Sequence, residues 1–196
     1  MSGRLRGQRP GAQTILRGVL LLARGRAEGL RQFGDTPQAF LASLAPLIAF
    51  PLVGYLLLAA GGHGTAAIAG LLGTLCALLA PPVISFELAR WWGRQHLWLR
   101  YATAVNWCQW AIPLLASALL LIVYPVLAQL LSDDAAGAAV IAAIAAYALW
   151  LHWFLARHAL ALSGARAALL VGLVNLGTAL LVLGPRLLSL GAGHAG

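Results

Sequence analysis

"RYATAVNWCQWAIPLL", residues 100–115, is the stretch whose reading decides the fold. It runs into an apolar segment that continues to about residue 130, yet it carries two amides, Asn106 and Gln109. With Pro113 they fall at i, i+3 and i+7, so a helix places all three on one face. A segment this long and apolar is built for hydrocarbon, where an amide facing lipid finds no hydrogen-bond partner. That face is therefore expected to point into a bundle of helices.

The composition makes the same demand on the whole chain. Hydrophobic residues are 61% of the 196 and charged residues only 9%, against about 25% charged in an average soluble protein. Five segments are long enough to cross a hydrocarbon core, which takes about 20 residues. They are roughly 38–60, 65–86, 102–130, 136–156 and 167–184. Pro113 and Pro125 in the third are expected to kink it, because neighbouring groups satisfy the freed carbonyls. The expected fold is all-α: a polytopic bundle of five transmembrane helices (36–186), a basic N-terminal segment (1–35) and a short flexible tail (187–196).

All thirteen basic residues are arginine. Seven precede the first span, Arg90, Arg94 and Arg100 separate the second from the third, and Arg157 and Arg166 separate the fourth from the fifth. Twelve of thirteen thus fall on one side; the other has "GGHG", the acidic "SDD" and Arg186. The positive-inside rule puts the N-terminus in the cytoplasm and the C-terminus outside. The joint abundance of Ala, Leu, Gly and Arg is that of a GC-rich genome, and a bacterial cytoplasmic membrane is the expected location. The seven tryptophans gather near the basic side, at headgroup level. The arginines alternate with apolar spans and form no continuous basic face with stacking aromatics, so nucleic-acid binding is not expected.

"TILRGVLLLARGRAEGLRQF", residues 14–33, does not read as a signal peptide, because Arg17 and Arg24 break its short apolar stretch. Leu16, Val19, Leu20, Ala23, Ala27 and Leu30 share one helical face, with Arg17, Arg24 and Arg31 along its flank. That pattern predicts an interfacial amphipathic helix whose arginines reach phosphates. Gly34 ends it, and Thr36-Pro37 caps and starts the first span.

Several polar residues share the depth of the amides, at roughly 6 and 10 Å from the basic side: Glu87, Asn106, Gln109, Tyr147, His152 and Asn175. They either hydrogen-bond between helices at about 0.6 kcal/mol each or line a water-accessible cavity. In "ISFELARWWGRQHLW", Glu87, Arg90 and Arg94 form a solvated ion pair or, with Trp91 and Trp92, an anionic headgroup site. Arg17, Arg24 and Arg31 join those candidate headgroup contacts. Cys76 and Cys108 read as buried free thiols. His152 and His158 do not share a helical face, and no paired-carboxylate, HExxH or Ser/His/Asp arrangement occurs. No catalytic residue, metal or cofactor is expected. Ala69/Gly73, Ala168/Gly172 and Ala138/Ala142/Ala146 form small-residue faces, expected to pack within the chain.

The five-span layout, small outer loops and "AAIAAYALWLHWFLARHALALSGARAALLVGLVNLG" resemble the Yip1 family of integral membrane proteins, over roughly residues 36–186. There a small-residue span ends in aromatics, a short basic turn follows, and then comes the last span. The acidic-Tyr-Gly-Pro stretch that precedes the first span in eukaryotic members is represented only by Asp35-Thr36-Pro37. The resemblance implies a non-enzymatic scaffold with a membrane or cytoplasmic protein partner. The alternative is a small-solute or lipid transporter that uses the polar cluster.

Overall fold

The structure, a computed structural model, describes residues 11–192, with side chains described through residue 184. Arg4, Arg6, Arg9, the Arg186 side chain and His194 lie outside that range. The described chain is helical throughout its regular elements, with no strand among the described residues. Helix α1 is Ala12–Ala23, followed by a 3-10 turn, Ala27–Gln32; α2 is Pro37–Ala60 and α3 is Gly64–Trp91. Next come α4 (Gln95–Cys108), α5 (Ala111–Ala118) and α6 (Tyr124–Leu127), then α7 (Asp133–Ala159) and α8 (Gly164–Ala192). Five stretches are long and apolar enough to cross a membrane: α2, α3, the composite Gln95–Leu127, α7, and Gly164–Gly184 of α8. Helix α8 continues to Ala192, so much of the expected tail is helix.

Short polar caps start these helices. Thr36 Oγ1 accepts from the Ala39 N–H at 3.2 Å and Pro37 occupies the first turn. Ser132 caps α7, where Asp133 and Asp134 suit the positive end of the helix dipole. The ends reuse one device. At α1, Gly25 takes a left-handed φ of 73°, and Arg26 N–H donates to Leu21 C=O while Gly25 N–H donates to Leu22 C=O. That is a Schellman closure. It recurs at Gly62 and Gly93, and at α7 the left-handed residue is Ala161, φ 51°. The N-terminal segment is therefore not one helix over 14–33: it turns back at Gly25.

Prolines act differently in different spans. Pro46 and Pro51 lie within α2, and Pro81 and Pro82 within α3, without ending either helix. In the third span, Pro113 has no N–H for the Gln109 carbonyl, which instead accepts from Ile112 N–H at 3.3 Å. The chain turns at Gln109-Trp110 and restarts as α5. Ahead of Pro125, residues Leu119–Val123 widen into a π turn, with Tyr124 N–H reaching Leu119 C=O. The expected kinks are present, and the first lies ahead of its proline.

Neighbouring helices form a closed arrangement: α2 packs on α3, α3 on α8, α8 on α7, α7 on α4, and α4 back on α2. The buried core gathers at one end, from Leu22, Leu88, Ala89, Tyr101, Leu151, Leu155, Leu160 and Leu170. Elsewhere large apolar side chains such as Phe50, Leu57, Leu72, Leu114 and Leu121 point outward, as lipid-facing surface must.

Candidate functional site

At the core end, three basic segments meet: the N-terminal hairpin, the α3–α4 turn and the α7–α8 turn. Helix α1 buries Leu22 completely and packs Ile15 and Val19 against the core, leaving Leu16 and Leu20 more than half exposed. The expected apolar face is thus split. One edge docks on the bundle, and the other is left exposed beside the exposed Arg17 and Arg24. Gly18 and Gly29 allow the hairpin to close, since a Cβ on Gly29 would lie 2.8 Å from Gly18 O. On α7 the rings of Tyr147, Trp150, Phe154 and His158 stack in a column, with successive centroids 5.6, 5.5 and 4.3 Å apart. Tyr147 Oη donates to Ala23 C=O at 3.0 Å, so the column holds the end of α1.

The six expected polar residues do not form a cluster: among the described residues none hydrogen-bonds another of the six. Asn106, 4% exposed, donates through Nδ2 to Ser43 Oγ at 2.9 Å, and Ser43 donates on to Phe40 C=O at 2.6 Å. The α4–α2 contact is thus a closed polar chain. Its middle member, Ser43, went unmarked in the sequence because a serine in an apolar span satisfies itself on its own helix. Gln109 is half-buried and supports the α4–α5 turn through its main chain. His152 is half-buried on α7. Glu87 is exposed and paired with Arg90 at 2.6 Å.

Asn175 requires a correction. It faces outward from α8, with Nδ2 donating to Val171 C=O on its own helix at 2.8 Å. The small pairs are corrected with it. Ala69, Ala168, Ala138, Ala142 and Ala146 are exposed, and a Cβ on Gly73 or Gly172 would meet nothing within 4 Å. Close approach occurs at Gly70, under the Tyr55 ring, and at Gly177, against Ile84. Cys108 is a buried free thiol, whereas Cys76 is exposed on the lipid-facing surface.

The candidate headgroup residues divide. Arg17, Arg24, Arg31, Arg90 and Trp91 are exposed, Trp91 at 81%. Arg94 is half-buried and Trp92 packs against the core. Each acid at this end holds one arginine: Glu28 with Arg26, Glu87 with Arg90, and Asp35 with Arg100 at 2.6 Å. The last pair ties the start of α2 to α4. Arg17, Arg24, Arg31, Arg94, Arg157 and Arg166 have no carboxylate within bridging distance among the described residues. Arg157 lies 5.3 Å over the Trp153 ring, whose Nε1 donates to Gly164 C=O. Trp98 Nε1 likewise donates to Ser85 Oγ at 3.1 Å. A shallow depression of about 460 Å³ is lined by Glu87, Leu88, Arg90 and Trp91, and a second, about 440 Å³, lies between α2 and α3 at Tyr55 and Thr74. Among the described residues no three His, Cys, Asp or Glu side chains gather as a metal site would require.

No protein-family model, curated protein or solved structure matches this chain.

Proposed function

We propose that the protein is a non-enzymatic scaffold of a bacterial cytoplasmic membrane, Yip1-like in layout, whose basic end faces the cytoplasm and engages anionic headgroups and a protein partner. The supporting observation is a contrast of polar groups. Asn106, Tyr147, Ser85, Trp98 and Trp153 are each committed to a hydrogen bond within the chain. At one end, six arginines remain without a carboxylate partner and Trp91 stands out from the surface. Charge concentrated at one end fits the positive-inside rule and attraction to anionic lipid, worth about 1 kcal/mol per arginine near the surface.

Trp91 suits the interface, with its ring among acyl carbons and its N–H toward headgroups. The exposed Leu16 and Leu20 give α1 a lipid-facing edge beside Arg17 and Arg24. The experiment is purification in nanodiscs of mixed zwitterionic and anionic lipid, followed by native mass spectrometry. A stoichiometric protein partner with retained anionic lipid, both weakened by Arg24→Glu and Arg31→Glu, supports the proposal. Bound solute with neither would favour transport.

A further inference from the structure

Asn175 presents a physical problem that the scaffold reading leaves open. It lies eleven residues into the span Gly164–Gly184 and nine beyond Arg166, or about 13 Å past that arginine at ~1.5 Å per residue, inside a ~30 Å hydrocarbon core. There it is exposed, on a helix whose lipid-facing side also presents Leu173, Leu176 and Leu180 at 37%, 57% and 61%. One Nδ2 hydrogen bonds to Val171 C=O. The carboxamide oxygen and the second N–H have no partner among the described residues. Thr178, one turn on, closes its only donor on Val174 C=O. An amide left open to acyl chains forgoes hydrogen bonds that lipid cannot replace.

The rest of α8 cannot supply those bonds. Its packed side meets α3 and α7 through the apolar Ala167, Leu170, Val171 and Gly177, which carry no polar side chain. Around Asn175 the outward face is low: Ala168, Gly172 and Ala179 lie at i−7, i−3 and i+4, all exposed. A second helix can therefore approach the amide closely. We propose that this face binds α8 of a second copy of the chain, with the two Asn175 carboxamides paired across a two-fold axis. A carboxamide both donates and accepts, so an identical group on a symmetry-related helix satisfies both halves at once. Acyl chains satisfy neither.

The test uses the full chain with Cys76→Ser, which removes the lipid-exposed thiol. In native membranes under mild oxidation, Ala179→Cys is expected to form a disulfide-linked dimer. Leu180→Cys, exposed at the same depth but rotated off the face, is not. Adding Asn175→Leu is expected to cut the Ala179→Cys cross-link at least about fivefold, the size of losing two hydrogen bonds between membrane helices. Asn175→Gln is expected to retain most of it. Asn175 bonds only to its own helix, so Asn175→Leu leaves the bundle intact; continued protection of Cys108 from maleimide verifies this. Equal cross-linking at 179 and 180, a cross-link indifferent to Asn175→Leu, or no dimer at either position would overturn the proposal.

Discussion

Two asparagines show how one residue type takes opposite roles. Asn106 is sealed between α4 and α2, where Ser43 supplies its acceptor; Asn175 stands on the outer surface of α8. A double-mutant cycle with Asn106→Ala and Ser43→Ala should give a coupling of about 0.6 kcal/mol, and no more than about 1.7, read from unfolding in mixed micelles. A coupling of zero would mean the two side chains do not interact. Ala161 makes a second prediction at this scale. It holds a left-handed φ of 51°, which costs an L-residue about 1 kcal/mol or more that glycine avoids. Ala161→Gly should therefore stabilise the protein by up to about 1 kcal/mol, visible as a raised midpoint of thermal unfolding in detergent. That polar residues interrupt the spans is plain in the sequence. Which of them face inward is not, because the rotation of each helix is set by neighbours distant along the chain.

The helices themselves were largely legible. Hydropathy places five spans, and Thr36-Pro37 marks the start of the first, because both signals are local. Less visible was the way elements end and turn. Residues 14–33 carry a helical apolar stripe, but Gly25 closes the helix with a left-handed turn, and Gly18 and Gly29 let the two halves touch. The stripe then divides between the bundle, which takes Leu22, and the exposed surface, which keeps Leu16 and Leu20. Gly29→Val should undock this hairpin by driving a side chain into the Gly18 carbonyl. Limited proteolysis is expected to cut residues 12–35 rapidly in that variant while the spans survive; an unchanged digest would mean the hairpin is not held by this contact. Likewise Pro113 announces a kink, but the break falls at Gln109-Trp110, where the carbonyl that Pro113 cannot serve turns to Ile112 N–H instead.

The whole molecule joins a charged end to a bundle in which the buried Asn106 is closed on Ser43 and Ser85 on Trp98. If that end is cytoplasmic, alkaline phosphatase fused after Leu131 should be active and the same reporter fused after Gly93 inactive; the reverse pattern would invert the topology. The closed interior is the central point, since a wet polar interior would favour transport over scaffolding. Cys108 offers a native reporter: it is 1% exposed, in the same helix as Asn106 and next to Gln109. The decisive measurement is water-soluble maleimide labelling of the Cys76→Ser protein in inside-out vesicles. The account predicts that Cys108 stays unmodified until detergent unfolds the bundle. Rapid labelling in intact vesicles would contradict it and place water beside the amides.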